Sequence, residues 1–231
     1  MSGTDLVISE LFGPTFQGEG PSIGRLASFM RLSGCPLSCQ WCDTPWTWQW
    51  GAFDKNAEQH AMAAADVVAW ARVQRAGLLV ITGGEPLVQA RQLAGLVPDL
   101  IAACGEVEIE TSGIIAPPES LAGSGARYNV SPKLANSGIP EHRRIRGSAL
   151  RAFAGSGTAR FKFVAQSPSD LDEIARLQDT YGLEQVWVMP EATSSGKVVT
   201  RMRQLADAVI SRGWNLSPRL HVLLWEDTRG R

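Results

Sequence analysis

The feature that most limits the fold of this chain is a regular alternation of short apolar segments with longer helix-like segments. The strand candidates are residues 27–32, 78–82, 107–110, 127–130, 161–164, 186–189 and 220–225, and the helix candidates are residues 57–76, 87–104, 169–181 and 199–212. Strands that are separated by helices pair in parallel, because a parallel partner is reached only through a long crossover. The pattern predicts an α/β fold with a parallel sheet, open or closed into a barrel, in a single domain spanning 1–231.

Charge and apolar content limit the partners of the chain. The net charge is −1, from 22 basic and 23 acidic side chains, so no strong positive field attracts a phosphate backbone. The longest apolar runs, at 78–81 and 222–225, are too short to span a bilayer. The sequence MSGTDLVISE lacks the basic start and long apolar stretch of a signal peptide. We therefore expect a cytoplasmic protein that contacts neither nucleic acid nor a membrane.

Three of the four cysteines lie close together, at Cys35, Cys39 and Cys42 in the sequence CPLSCQWC. A disulfide framework would spread its cysteines to close longer loops, so these three predict a metal or cluster site. Gly34 and Pro36 flank the first of them and allow the chain to turn tightly there.

A structural zinc site is the alternative for these cysteines. Such a site normally takes four protein ligands. Cys104, His60, His142 or His221 could supply the fourth, but none stands at a spacing typical of a zinc finger.

Polar residues follow the ends of several predicted strands. They are Cys35, Gly83, Gly84, Glu85, Glu110, Thr111, Ser112, Ser131, Lys133 and Glu191, the last after Pro190. In parallel α/β folds, ligands bind outside the carboxyl ends of the strands. We therefore expect these residues to meet at one edge of the sheet and to form a common site.

The spacing Cys-x3-Cys-x2-Cys resembles the signature of the radical S-adenosylmethionine (SAM) superfamily. The chemistry of that superfamily accounts for the number of cysteines. Four thiolates saturate a 4Fe–4S cluster, whereas three leave one iron free to bind the amino and carboxylate groups of SAM. The resemblance implies that an electron from the cluster splits SAM and releases a 5′-deoxyadenosyl radical.

Two further segments are similar to that superfamily. In LLVITGGEP, Gly83 and Gly84 lack a Cβ and would let the backbone approach the amino group of SAM. A plain strand-to-helix turn explains this segment as well when it is taken alone. In NVSPK, Ser131 and Lys133 either contact SAM, as the resemblance implies, or belong to a turn set by Pro132 with a solvated lysine.

Five longer segments look like the 7-carboxy-7-deazaguanine synthase family, nearly from end to end of the chain. They are LFGPTFQGEGPSIGRLASFMRLSGC, WCDTPWTW, VEIETSG, NVSPK and RLHVLLWEDTRGR. The resemblance implies a homodimer of truncated, partial TIM-type barrels, each with about six parallel strands. It also implies conversion of 6-carboxy-5,6,7,8-tetrahydropterin to 7-carboxy-7-deazaguanine with loss of ammonia, an early step of queuosine-type 7-deazapurine biosynthesis. The implied cofactors are a 4Fe–4S cluster, SAM and Mg²⁺, with an electron donor such as flavodoxin or ferredoxin.

The same resemblance assigns a set of residues to the pterin substrate. These are Phe16, Gln17, Gly18, Arg31, Thr82, Glu110 and His221. Their chemistry suits the ligand: Gln17 offers both a donor and an acceptor to the edge of a heterocycle, and Arg31 offers a fork to a carboxylate. Glu110 accepts hydrogen bonds of the kind that an aminopyrimidine donates.

For SAM and the metal, the resemblance implies a second set of residues. The SAM contacts are Trp41, Cys42, Asp43, Gly83, Gly84, Glu85, Ser131, Pro132 and Lys133. Thr44 is the implied Mg²⁺ ligand, and a hydroxyl oxygen is a hard ligand suited to this ion. Without the resemblance, a local cap or turn is the better explanation of Asp43 and Thr44.

Some features stay without an assigned role. The family commonly has Gly after Leu-Trp near the C-terminus, where this chain has Glu226 followed by DTRGR, and residues 51–60 have no clear family counterpart. Trp46, Trp48 and Trp50 are explained at least as well by loop packing as by shielding of a radical.

Two alternative functions follow from weaker parts of the pattern. Another small radical SAM enzyme, such as a glycyl-radical activating enzyme, would share the cysteine loop and the paired glycines. It would lack Thr44 and the segments at 16–20 and 219–225. A zinc-stabilised binding module is the second alternative.

Overall fold

The computed structural model describes residues 5–231. The first four residues belong to the segment that was not expected to be a signal peptide, and they lie outside the described residues. The described strands are β1 (Leu6–Phe16), β2 (Leu26–Leu32), β3 (His60–Met62), β4 (Leu78–Gly83), β5 (Glu106–Thr111), β6 (Arg127–Val130), β7 (Ala159–Ala165), β8 (Val186–Pro190) and β9 (Asn215–Leu216). They form one sheet in the order β3-β1-β2-β4-β5-β6-β7-β8-β9.

The sheet is parallel from β2 to β9, and β1 pairs antiparallel with both β2 and β3. The first six predicted strands correspond to β2, β4, β5, β6, β7 and β8, which confirms the α/β class. Strands β3 and β9 stand at opposite edges, so the sheet is not closed on itself within residues 5–231.

The described helices are α1 (Lys55–Glu58), α2 (Ala64–Val73), α3 (Ala90–Cys104), α4 (Glu119–Ala122), α5 (Glu141–Arg144), α6 (Gly147–Gly155), α7 (Asp170–Tyr181), α8 (Ser195–Ile210) and α9 (Leu220–Trp225). Helix α7 ends at Gly182 in the left-handed conformation, which glycine adopts without steric cost. The side chain of Ser169, at the start of this helix, makes no capping bond. The carboxylate of Asp170 instead accepts hydrogen bonds from the backbone N–H groups of Gln166 (2.6 Å) and Ser167 (3.2 Å).

The two faces of the sheet differ in chemistry because successive side chains of a strand point to opposite sides. One face packs against the helices and is apolar: Leu32, Ile81 and Ile109 belong to the main core and are fully buried. Burial of each such side chain stabilises the fold by about 1.5–3 kcal/mol. The other face carries buried polar side chains, among them Glu108 on β5 and Lys162 on β7. The polar face therefore supplies side chains from which a binding site can be formed.

The prediction of a strand at 220–225 is wrong, because these residues form helix α9. A short apolar run such as Val222–Trp225 does not distinguish a strand from a buried helical turn. In α9 the side chain of Val222 is fully buried, and the ring of Trp225 stacks on Phe16 at a centroid distance of 6.3 Å.

The predicted helix at 57–76 is interrupted. Residues His60–Met62 form β3, which pairs with the start of β1, and the helix resumes only at Ala64. Strand β1 itself was not predicted, and it places the segment before the cysteines beside β2. No helix within residues 5–231 is long and apolar enough to cross a bilayer.

Candidate active site

Most of the residues that the sequence predicts to be functional line one cavity. Those that line it are Phe16, Gln17, Gly18, Arg31, Cys35, Cys39, Trp41, Cys42, Asp43, Thr44, Thr82, Gly83, Gly84, Glu110, Ser131, Lys133 and His221. Glu85 and Pro132 are not among the lining residues. The polar residues after β2, β4, β5 and β6 thus meet at one edge of the sheet.

The cysteine loop follows β2 and forms one wall of the cavity. Cys35, Cys39 and Cys42 are free thiols that are half-buried, and the backbone N–H of Cys42 donates to the carbonyl of Cys39 at 3.1 Å. Burial raises the pKa of the Cys35 thiol to about 12, so iron would have to displace its proton on binding. Cys104 does not line this cavity and ends α3, where its thiol donates to the carbonyl of Leu100 at 2.9 Å.

The arrangement of these thiols fits a cluster better than a single ion. Among residues 5–231, no group of three or more His, Cys, Asp or Glu side chains is placed to hold one metal ion. A cluster takes its thiolates at separate irons, so its cysteines surround it and do not converge on a point. Cys35, Cys39 and Cys42 line one cavity with room beside them, which is the donor set that a cluster with one open iron needs.

The paired glycines after β4 hold the cysteine loop against the sheet. A Cβ on Gly84 would overlap the carbonyl of Gly34 and would lie 2.9 Å from Cβ of Cys35. Gly83 has a φ of +137°, and a Cβ there would overlap the backbone of Leu32. Glycine is therefore required at both positions by packing as well as by access to a ligand.

Glu85 follows the two glycines at the end of β4. Its carboxylate is fully buried and accepts hydrogen bonds from Oγ1 of Thr111 (2.7 Å), from N (2.8 Å) and Oγ (2.5 Å) of Ser112, and from N of Leu87 (3.0 Å). These bonds join the end of β4 to the end of β5. The bonds of Glu85 thus stabilise the backbone conformation at Gly83 and Gly84.

Lys133 and Trp41 form a second wall beside the cysteines. The ammonium of Lys133 lies 3.1 Å from Oγ of Ser131 and 5.6 Å from the centroid of the Trp41 ring. The indole N–H of Trp41 donates to the carbonyl of Asn136 at 2.9 Å, which fixes the ring. The Trp41 ring and the Lys133 cation are thereby held next to the cysteine loop.

Glu110 is the acceptor at the centre of a hydrogen-bonded group on the polar face. It accepts from Nε2 of Gln17 (3.3 Å), Oγ1 of Thr82 (3.0 Å) and Nζ of Lys162 (3.2 Å). Lys162 also donates to Glu19 at 2.6 Å and is almost fully buried. Lys162 and Glu19 were not predicted from the sequence, although alternate polar residues in EVEIET and RFKF are a signal that one face of these strands is polar.

Arg219 links the substrate side of the cavity to the cysteine loop. Its guanidinium donates to Glu19 at 3.0 Å and to the carboxylate of Asp43. Burial alone would raise the pKa of Glu19, but Lys162 and Arg219 outweigh it and hold this pKa well below the ordinary value. Burial lowers the pKa of His221, against the opposing effect of Glu19, so its imidazole is neutral at pH 7.

The carboxylate of Glu10 joins two arginines that line the cavity. It accepts from Nε of Arg31 at 2.7 Å and from the guanidinium of Arg229. Arg229 also lies 4.4 Å from the centroid of the Trp46 ring. The tail residues 227–231, which had no assigned role, therefore line the cavity together with Trp46 and Trp48.

Thr44 lies at the junction of the cysteine loop and the cavity. Its side chain is buried and makes no capping bond, and it is the backbone carbonyl of Thr44 that accepts from Oγ1 of Thr47 at 2.8 Å. The hydroxyl oxygen of Thr44 lies 3.8 Å from Sγ of Cys42. The local-turn explanation therefore accounts for the backbone of Thr44 and leaves its hydroxyl available to a ligand.

Comparisons with known folds identify the class. Residues 16–116 match the family described as 4Fe-4S single cluster domain. The structure is similar to QueE from Escherichia coli, with a TM-score of 0.71 and 27% identity, covering 92% of this chain and 93% of that one. It also shares its fold with SuiB from Streptococcus suis, with a TM-score of 0.52 and 18% identity over 79% of this chain and 45% of that one. Fold and site together define a radical SAM iron–sulfur enzyme.

Curated relatives define the family more closely. The chain is 36% identical to the 7-carboxy-7-deazaguanine synthase of Pyrobaculum aerophilum, covering 100% of both chains. The chain therefore belongs to the 7-carboxy-7-deazaguanine synthase family. It is also 35% identical to the synthase of Halobacterium salinarum, over 97% of this chain and 92% of that one, and 31% identical to that of Hyperthermus butylicus, over 96% and 93%.

Proposed function

We propose that this chain converts 6-carboxy-5,6,7,8-tetrahydropterin to 7-carboxy-7-deazaguanine with loss of ammonia. The observation that carries the proposal is that the cysteine loop and the predicted substrate residues Gln17, Arg31 and Glu110 line one cavity. When bound, the cluster and SAM supply the 5′-deoxyadenosyl radical that removes a hydrogen from C6 of the pterin. The protein's part is to bind the two small molecules next to each other and to exclude water.

The polar face supplies the groups for the pterin. Glu110 and Gln17 present a carboxylate and an amide to the donor and acceptor edge of the aminopyrimidine. Thr82 and Lys162 hold Glu110 in place from two sides. Arg31 offers its guanidinium to the substrate carboxylate, with Glu10 orienting it from behind. Phe16, Gly18 and His221 complete the proposed pterin site.

The strand ends supply the groups for SAM. Gly83 and Gly84 offer backbone without side chains to its amino group, and Ser131 and Lys133 offer a hydroxyl and a cation to its polar part. Trp41 and Asp43 lie along the adenine side in this proposal. Glu85 supports the site from behind the glycines.

Thr44 is the proposed Mg²⁺ ligand. It is buried, stands beside Cys42, and its hydroxyl oxygen is a hard donor. The Thr44 hydroxyl would hold the cation, which would then help to orient the oxygen atoms of the substrate. Replacement Thr44→Ala should raise the Mg²⁺ concentration that gives half-maximal rate, and an unchanged Mg²⁺ dependence would exclude this role.

We also propose a compartment, an oligomeric state and an electron donor for the enzyme. The enzyme is cytoplasmic, because cysteine ligands need a compartment that keeps thiols reduced. It acts as a homodimer, and it takes its electron from a small carrier such as flavodoxin or ferredoxin. Size-exclusion chromatography with light scattering tests the dimer, and turnover with purified flavodoxin and its reductase tests the donor.

The decisive experiment is reconstitution of the enzyme with iron and sulfide under anaerobic conditions. The loaded enzyme is incubated with reductant, SAM, Mg²⁺ and the carboxypterin, and the products are separated by chromatography with mass detection. We expect the deazaguanine carboxylic acid. If the cluster is complete and no such product forms, the assignment of this reaction fails.

A further inference from the structure

One contact of the cysteine loop is not explained by substrate or SAM binding. The indole Nε1 of Trp48 donates a hydrogen bond to Sγ of Cys42, at a distance of 3.3 Å. An indole nitrogen is only a donor, so the sulfur must be the acceptor. Such a bond is stronger to a thiolate than to a thiol, and the thiolate is the form in which cysteine binds iron.

The loop is built so that the Trp48 ring is held in this position. The backbone N–H of Trp48 donates to the carbonyl of Pro45 at 3.1 Å, which closes a short turn over Pro45–Thr47. The turn is tied to the end of β2, because the N–H of Gly34 donates to the carbonyl of Thr47 at 2.8 Å. These bonds fix the backbone from which the indole projects towards Cys42.

The contact distinguishes Cys42 from the other two cysteines of the loop. Within the described range 5–231, no side chain donates a hydrogen bond to Sγ of Cys35 or Cys39. The other polar side chain near Cys42 is Thr44, whose hydroxyl lies 3.8 Å from the sulfur. The Trp48 N–H is thus a dipole aimed at one corner of the cluster.

We propose that Trp48 raises the reduction potential of the cluster by donating this hydrogen bond to the Cys42 thiolate. A reduced cluster carries one more negative charge than an oxidised one. A donor to a ligating sulfur stabilises that extra charge, and hydrogen bonds to the sulfurs are among the factors that set cluster potentials. Trp48 acts only through Cys42, so it is a positioning residue, and the proposal rests on Cys42 holding the cluster as the proposed function requires.

The test is a potentiometric titration of the reconstituted full-length protein without SAM, followed by electron paramagnetic resonance of the reduced cluster. Trp48→Phe keeps an aromatic ring and removes the N–H. At a fixed solution potential, we expect the ratio of reduced to oxidised cluster to fall about tenfold, which is about 59 mV for a one-electron couple. Trp50→Phe is the matched control, because Trp50 is in the same loop and contacts Lys55 at 5.7 Å without lining the cavity. Its potential should equal that of the unmodified protein.

A second variant and a second readout cover the case in which Trp48→Phe does not hold a cluster. Trp48→benzothienylalanine keeps the shape of the indole and replaces only the N–H by sulfur, and it should show the same fall in potential. In D2O, pulsed resonance of the reduced cluster should detect an exchangeable deuteron in the unmodified protein that is missing from the variant. An unchanged potential and an unchanged deuteron signal at full iron content would overturn the proposal. If the unmodified protein assembles no cluster at all, the proposed function fails first.

Discussion

The ammonium of Lys162 lies 3.2 Å from Oε1 of Glu110, on the polar face of a sheet whose other face is the hydrophobic core. Lys162 also donates to Glu19 at 2.6 Å, so one buried cation compensates two carboxylates. Burial would lower the pKa of Lys162, but Glu110 and Glu19 outweigh it and hold this pKa above its ordinary value. The raised pKa keeps this ammonium charged at neutral pH, where it compensates both carboxylates.

Removal of the Lys162 ammonium should destabilise the protein strongly. Lys162→Met leaves Glu19 and Glu110 without their shared partner, and breaking a buried ion pair in this way costs about 3–5 kcal/mol. We expect this loss in the free energy of unfolding from urea titrations of the purified protein. The double variant Lys162→Met/Glu19→Gln removes one stranded charge, so it should lose less than the sum of the two single variants. Strict additivity would show that the ion pair is not coupled.

Glu19 should make the stability of the protein dependent on acid pH. Its folded-state pKa is held below the ordinary value of about 4.3, so the unfolded chain takes up the proton first as the pH falls. The contribution of Glu19 is thus fully present at neutral pH and declines below about pH 5. Urea titrations between pH 7 and pH 3 should show the stability advantage over Glu19→Gln becoming smaller with falling pH. An advantage that stays constant over that range would contradict the assigned direction of the pKa.

The close contact between Gly18 and His221 should make the stability loss of a variant at position 18 depend on the His221 ring. A Cβ at position 18 would overlap Nδ1 of His221 and lie 2.9 Å from its Cγ. Gly18→Ala should therefore displace α9, lower the melting temperature and raise the KM for the pterin. In Gly18→Ala/His221→Ala the clash is absent, so the melting temperature should return to that of His221→Ala alone. Failure of the second change to restore it would place the strain elsewhere.

Gly84 should control how much cluster the protein holds. Because Gly84→Ala forces a Cβ into the carbonyl of Gly34 and towards Cys35, the cysteine loop must move away from β4. We expect iron and sulfide content after reconstitution to fall severalfold, as measured by chemical analysis and by absorbance of the cluster. Gly95→Ala is the control, because nothing lies within 4 Å of a Cβ there, and it should keep its iron and gain about 0.4–1 kcal/mol of stability. Equal iron in both variants would contradict the packing argument.

Much of the fold could be predicted from local sequence. Six of the seven parallel strands were recognisable because each is a short apolar run between helical segments. The cysteine spacing and the paired glycines were recognisable because each is contiguous in the chain. The run at 220–225 was misassigned, since a short apolar run fits a strand or a helical turn and only packing against Phe16 and the core decides between them.

Local patterns in the chain are enough to predict the α/β class, the cysteine loop and the edge of the sheet at which polar residues lie. Only the folded chain shows which charged side chains pair with each other at that edge. Lys162 meets Glu19 across 143 residues of chain, and Arg219 meets Glu19 across 200, so no local pattern could have paired them. Folding buries these charges together, and in a poorly hydrated site an unpaired charge is too costly to keep. The ion-pair network that joins the substrate residues to the cysteine loop therefore exists only in the folded chain.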